Sequence, residues 1–303
     1  PSVVGGRVGP FLVELLGAAP GTREYVLAVE YTRIVLLGVF FVSGVFMFQA
    51  LLRGWGETTT PMYLMFFGVT LNVLADPFVV LDDADIEAAA AVGARARTLN
   101  SGQSCIAAKR FIVHADAYDA FLDAFVTEME ALTVGDPSDP DTDIGPQARA
   151  DLVDDLHEQV TASVEAGASV ETGGEPLDRT GYFYPPTVVT DVPPDAPLAS
   201  EEVFGPAAAL VRGEGEAGAG AVANDAELGL AGSVWTDDRE RGQAVARRIE
   251  SGAVFVNELA KSDPRLPFGG IKNSGYGREL AEQGLKAFCN EKTVWVQDTA
   301  DQP

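Results

Sequence analysis

Among 303 residues there are only two cysteines, Cys105 and Cys289, and two histidines, His114 and His157. The cysteines stand far apart, with no CxxC pair and no histidine at ligand spacing. Neither a disulfide framework nor a bound metal is expected, and a reducing compartment fits best. Lysine is scarce too: of 21 basic residues only Lys109, Lys261, Lys272, Lys286 and Lys292 are lysines. Against them stand 45 acidic residues, for a formal charge of −24. Such a surplus repels phosphate backbones and argues against nucleic acid as a partner. It has the character of halophilic protein surfaces, where high ionic strength screens self-repulsion; an ordinary acidic cytosolic protein is the alternative.

The first quarter has almost no charge. Before Asp76 the charged residues are Arg7, Glu14, Arg23, Glu24, Glu30, Arg33, Arg53 and Glu57, four of each sign, so the whole excess belongs to the remainder. Ile34 to Leu52 contains no charged residue and is about as long as a membrane-spanning helix. A second apolar stretch, Pro61 to Ala75, follows the polar link Arg53–Thr60. Together they predict a membrane hairpin, the alternative being a pair of buried helices in a soluble core. No small-residue cleavage pattern follows the run, which speaks against a secretory signal.

From Asp76 onward the pattern becomes that of a soluble α/β protein. Asp82, Asp83 and Asp85 precede the alanine-rich run Ile86–Ala96, as acidic residues do at a helix N-terminus. RFIVH at Arg110–His114 reads as a buried strand, and Tyr118–Leu132 as an amphipathic helix. Further helices are expected near residues 148–166, 239–250 and 279–288, with strands near 168–172, 187–190, 207–211, 232–235, 253–257 and 292–296. Strands alternating with helices predict a mostly parallel sheet with helices on its faces. No repeat or low-complexity linker is visible.

Cys105 lies in Asn100-Ser101-Gly102-Gln103-Ser104-Cys105, on a connection between the alanine-rich helix and RFIVH, where function concentrates. A thiolate is a strong nucleophile and its pKa falls beside positive dipoles. Alone, however, one cysteine in such a loop is more often a buried structural residue than a nucleophile. Glu201 and Glu202 can be a solvated acidic pair, although a carboxylate also suits ribose hydroxyls. His114 and His157 have no triad spacing.

Three ordered motifs carry a resemblance to the aldehyde dehydrogenase superfamily across about residues 76–298: NSGQSC at 100–105, SEEVFGP at 200–206, and PFGGIKNSGYGRE at 267–279. The resemblance implies the catalytic half of that α/β fold, a parallel-rich sheet with flanking helices. It also implies NAD(P)-dependent oxidation of an aldehyde to an acid through a cysteine thiohemiacetal and thioester. It assigns Cys105 as nucleophile, Glu202 to the ribose beside the nicotinamide, Phe204 to packing beside that ring, and Phe268 to the substrate channel. Lys272 and Arg278 are read as structural. KSDPRL at 261–266 and SCIAAKRFIV at 104–113 are similar to the succinate-semialdehyde branch, which holds a distal carboxylate with arginine and serine; Ser262 and Arg265 are the candidates here. Leu99, before the nucleophile motif, cannot anchor a carboxylate. The cofactor expected is NAD or NADP, the substrate a small aldehyde, and the assembly of a complete fold a homo-oligomer reached through a C-terminal strand at Lys292–Gln297.

The first 78 residues resemble a different family, the multidrug and toxin extrusion transporters. The likeness rests on Arg53, Gly54, Gly56, Thr58, Thr60, Pro61, Met62, Asn72, Asp76 and Pro77. A transport pathway needs two bundle halves, so these few helices predict no transport. The expected organisation is an all-α membrane-helix segment over 1–75 and a dehydrogenase catalytic domain over 76–303, with the nucleotide-binding domain largely absent. The dehydrogenase part is expected in the cytoplasm, and at the membrane if residues 31–75 anchor it. The dehydrogenase family's general base lies in an ELGG motif just before the segment matched by DPFVVLDDAD at 76–85. Here Leu71-Asn72-Val73-Leu74-Ala75 stands in its place, with leucine where the base belongs, so turnover is expected to be impaired. Two other readings stay open: a transporter fragment with an incidental soluble tail, and a non-catalytic tethered domain that binds a partner or nucleotide.

Overall fold

In the computed structural model of the chain, the residues described are 77–296 together with Tyr25 and Val29. The chain divides into two compact units, Pro1–Thr70 and Leu71–Pro303, and residues 77–296 belong to the second. The expected membrane hairpin over residues 31–75 and the leucine at the base's place lie outside the described residues. Among the described residues no helix is long and apolar enough to cross a membrane.

A seven-stranded sheet organises the second unit. Its strands are β1 (Pro77–Val80), β2 (Arg110–His114), β3 (Ser169–Thr172), β4 (Thr187–Thr190), β5 (Ala207–Gly213), β7 (Ala231–Trp235) and β8 (Ala253–Val256), while β6 (Leu228–Gly229) pairs with β9 (Ile271–Lys272) in a separate ribbon. The order is β3-β4-β5-β2-β1-β7-β8, parallel throughout except at the β3–β4 edge. Parallel strands covered on both faces need apolar residues at nearly every position. PFVV in β1, RFIV in β2 and TVVT in β4 are buried along those stretches.

Alternation sends successive side chains to opposite faces. On one face Phe78, Phe111 and Leu210 pack under α1 (Ile86–Thr98) and α2 (Tyr118–Glu130), where Phe121 and Phe125 complete an aromatic cluster; the rings of Phe111 and Phe125 are 4.6 Å apart. On the other, Val79, Ile112 and Val234 pack under α5 (Gly215–Asn224) and α6 (Arg239–Ala246) through Ala219, Ala223 and Val245. Burial of each large side chain contributes roughly 1.5–3 kcal/mol. Helix α3 (Ala150–Glu165) and the single turn α4 (Pro197–Ser200) close a third cluster with Tyr184, Val189 and Ala207, and α7 (Ala281–Lys286) lies near the C-terminus.

The parallel-rich sheet and most expected elements are present, with three departures. The strand expected at Lys292–Val296, part of the oligomerisation strand, is absent: the segment has no regular structure, and Val294, Trp295 and Val296 are 70 %, 86 % and 85 % exposed. A strand needs a neighbour for its backbone groups, and none among the described residues is paired with it. Gly215–Asn224 forms a helix that glycine-rich sequence did not announce. The Arg110 guanidinium donates to the carbonyls of Val222, Ala223 and Asp225 at 3.0–3.1 Å, caring for the groups a helix C-terminus leaves open. Finally, Pro77–Val80 forms β1, a strand that the sequence does not announce because a run without alternation carries no strand signature of its own.

Candidate active site

The loop bearing Cys105 begins where α1 ends. Asp85 caps that helix by accepting from the Ala88 N–H at 3.1 Å, and the helix stops at Thr98. A 3₁₀ turn follows at Leu99–Gly102, in which Asn100, Ser101 and Gly102 all take positive φ, at 55°, 56° and 74°. Such a run is strained and persists only where surroundings impose it. They do so here: Ser101 Oγ donates to the Gly145 carbonyl at 3.2 Å, Gln147 Nε2 donates to the Ser101 carbonyl at 3.1 Å, and Gln103 Oε1 accepts from the Ala148 N–H at 2.9 Å. A side chain at Gly102 would meet the Gly205 carbonyl oxygen at 2.2 Å, so only glycine lets the two segments touch.

That contact joins two of the sequence-predicted motifs. The Gly205 N–H donates to the Gly102 carbonyl at 3.1 Å, and the fully buried Arg97 donates to the carbonyls of Gly102 at 2.7 Å and Val203 at 3.2 Å. Arg97 thus ties the segment of Glu202 and Phe204 to the cysteine loop. Sequence reasoning passed it over, although a guanidinium on the apolar side of an alanine-rich helix was a visible signal. Glu202 and Phe204 are half-buried, and Gln159 Nε2 holds the segment by donating to the Glu202 carbonyl at 2.7 Å and a Glu201 carboxylate oxygen at 3.1 Å.

Cys105 itself is exposed, as is Cys289. Its neighbour Ile106 packs against a small cluster of Leu230, Ala231, Ala260 and Phe268, so the third motif also reaches the cysteine loop. Phe268 is held by paired backbone bonds with Glu279 at 2.9 and 2.8 Å. Lys272 bonds the carbonyls of Asn224 and Ala226 and pairs with Glu250 at 2.9 Å, while Arg278 bonds the carbonyls of Gly270 and Gly277. Both act as structural ties, Arg278 through carbonyls rather than the carboxylates expected. Ser262 is exposed. Arg265 is clasped by its own neighbour Asp263 through two bonds at 2.9 and 2.6 Å, and this clasp pushes the Asp263 carboxyl well below its ordinary range. His157 lies 3.6 Å from Glu175 and His114 lies 3.8 Å from Asp116.

The same corner holds a second buried cation that the sequence did not single out. Lys109, four residues after Cys105, is 2 % exposed, and its Nζ has no hydrogen-bond partner among the described residues. Burial pushes its pKa down to about 7; repulsion from Arg110 and Arg97 adds to this, while Glu202 and Glu201 oppose it.

Comparisons with known proteins agree with this geometry. The aldehyde dehydrogenase family matches residues 75–294, more than half of the chain, and a separate family, MatE, matches residues 8–78. A succinate-semialdehyde dehydrogenase [NADP(+)] from Mycolicibacterium paratuberculosis is 52 % identical over 222 residues, covering 73 % of this chain and 47 % of that protein. Among solved structures, succinic semialdehyde dehydrogenase from Streptococcus pyogenes, in complex with NADP+, superposes with a TM-score of 0.71 at 38 % identity, covering 74 % of this chain and 49 % of that one. Lactaldehyde dehydrogenase from Escherichia coli gives a TM-score of 0.71 at 30 % identity, over 74 % and 47 % of the two chains. The chain thus spans about half the length of the relatives it matches. With three ordered motifs meeting around one cysteine loop and a family match over most of the described residues, the chain belongs to the aldehyde dehydrogenase family.

Proposed function

We propose that residues 76–303 form the nucleophile-bearing half of an NAD(P)-dependent aldehyde dehydrogenase acting on a small semialdehyde, succinate semialdehyde being the first candidate. The observation that carries this reading is the strained Cys105 loop, fixed by Arg97 and Gly102 against the segment of Glu202 and Phe204. The Cys105 thiolate adds to the aldehyde carbon: the C–S bond forms and the carbonyl electron pair moves to oxygen, giving a thiohemiacetal. A nicotinamide, held by Glu202 and Phe204, would supply the two-electron oxidant that this thiohemiacetal needs to become a thioester on Cys105. Water then cleaves that thioester to the carboxylic acid and returns the thiol.

The residues present fit the nicotinamide end of such a cofactor. Glu202 offers a half-buried carboxylate, an acceptor suited to ribose hydroxyls, and Phe204 offers a half-buried ring face two residues on. Phe268, packed in one cluster with Ile106, is the residue proposed to line the substrate channel. Distal-carboxylate recognition falls to Ser262 and Arg265, the latter having to leave Asp263 to take part. A complete assembly is a homo-oligomer in the cytoplasm. With leucine where the family's base stands, thioester hydrolysis is the step expected to fail.

Residues 1–75 carry a second reading, favoured by the MatE match and the uncharged run Ile34–Leu52. On this reading they are an α-helical membrane segment that anchors the chain. Sedimentation with lipid in membrane fractionation supports this, and recovery in the soluble fraction refutes it.

Site-resolved thiol labelling tests the enzyme reading, since the chain has only two cysteines. Succinate semialdehyde should slow iodoacetamide labelling of Cys105 and leave Cys289 unchanged. Equal protection of both, or of neither, would count against a formed active site.

A further inference from the structure

A cavity of about 290 Å³ adjoins the start of β8; Ala253, Phe255, Leu266 and Phe268 give it an apolar wall, and Lys261 and Asp263 contribute its charged groups. Strands β2, β1, β7 and β8 run parallel, so the start of β8 and the Cys105 loop, which leads into β2, lie at the same end of the sheet. Ala253, Phe255 and Phe268 belong to the packing that also takes in Ile106, the residue after Cys105. The cavity and the nucleophile loop are thus joined through one apolar cluster. An apolar wall with a cation beside it suits a short methylene chain that ends in a carboxylate.

Two cations stand on the segment 261–265, and they differ in what they can still bind. Arg265 does not line the cavity; its side chain is 86 % exposed, and its Nε and Nη2 both donate to Asp263, at 2.9 and 2.6 Å. To reach a ligand it would have to abandon that bidentate pair and leave Asp263 unpaired beside the ligand's own carboxylate. Lys261 pairs with Glu258, three residues before it, where both side chains are about half exposed, and such pairs hold weakly. Its ammonium carries three donors on a flexible stem, so it can keep Glu258 and take a second carboxylate. Asp263 lines the cavity as well, where its charge would repel that carboxylate, and the guanidinium clasped on it screens the charge.

We propose that Lys261, rather than Arg265, receives the distal carboxylate of the semialdehyde, and that Arg265 stays on Asp263 as its screen. This assignment rests on the reading of Cys105 as the nucleophile of a semialdehyde site, and its test is separable from that reading.

Iodoacetamide labelling of Cys105 gives half-protecting concentrations for succinate semialdehyde and for butanal, which has a methyl group in place of the carboxylate. The preference for the semialdehyde, taken as the ratio of the two, should fall about tenfold in Lys261→Met and return in Lys261→Arg. Arg265→Met should lower the ratio about threefold, and adding Asp263→Asn to it should restore the ratio, because the charge that needs a screen is gone. An unchanged preference in Lys261→Met, or an Arg265→Met defect that Asp263→Asn does not relieve, would overturn the proposal. The five lysines of the chain supply an independent readout. In full-length protein carrying ¹³Cε-lysine, the resonance missing from Lys261→Met should shift when succinate is added. That shift, with no protection of Cys105 by either aldehyde, would remove the semialdehyde reading and uphold the carboxylate site; no shift would overturn the site itself.

Discussion

Replacing Lys109 by methionine should make the protein more stable at neutral pH, and the gain should shrink as the solution becomes alkaline. The amine titrates near 10.5 in the unfolded chain and is pushed down to about 7 in the folded one. Between those values the unfolded state binds the extra proton, so stability rises with pH; below the lower value both states hold it and the penalty is full. At about 1.36 kcal/mol per pH unit, the ceiling of the penalty is roughly 5 kcal/mol. Methionine matches the length of the lysine stem and carries no charge, so the variant lacks this slope. Reversible urea unfolding of wild type and Lys109→Met, at about pH 7.5 and about pH 9.5, isolates the effect, because every other titration is common to both. The stability difference should fall by about 2–2.5 kcal/mol between the two conditions. A difference constant within about 0.5 kcal/mol would refute the reasoning, since Lys109 would then titrate alike in both states.

Further outcomes follow from the same geometry. Arg97→Met leaves the carbonyls of Gly102 and Val203 without their buried donor, and should lower stability by about 3 kcal/mol and abolish the protection of Cys105 by aldehyde; a melting curve and the labelling assay check both. Gly102→Ala places a methyl group 2.2 Å from the Gly205 oxygen at a φ of +74°, and should cost more than about 2 kcal/mol in urea unfolding. Arg241 bonds Asp82, Asp83 and Glu216 at 2.7–2.8 Å, and with it Asp82 and Glu216 titrate below their ordinary range. Their stabilisation is present above the ordinary carboxylate range and lost as pH falls through the lowered values, so Arg241→Met should flatten the acid limb of the stability profile. If leucine truly replaces the base, a succinyl thioester should accumulate on Cys105 when aldehyde and NADP+ are supplied together, with steady-state turnover about 10²–10⁴ below that of an intact relative. Intact-mass measurement shows it, and rapid steady NADPH production without an adduct would contradict it.

Charge, composition and motif order made much of this protein legible from its residues alone. The excess of acid and the seam near Asp76 are properties of composition, and so is the uncharged run before it. The helices α1, α2 and α3 and the strands β2, β4 and β5 were legible because amphipathic spacing and buried apolar runs are local signals. The glycine-rich α5 was not, since its support comes from Arg110, more than a hundred residues away. The Lys292–Val296 segment failed in the opposite sense, because its apolar pattern promises a strand whose partner the described fold does not supply. At the site, the sequence by itself determined which residue types occur in which order: Cys105, Glu202, Phe204 and Phe268. Only the tertiary structure decided that Arg97 binds the first motif to the second, that Arg265 is held by Asp263, and that Lys109 is buried beside two carboxylates. Those facts depend on desolvation and on contacts between distant segments, and neither is a property that a linear pattern carries.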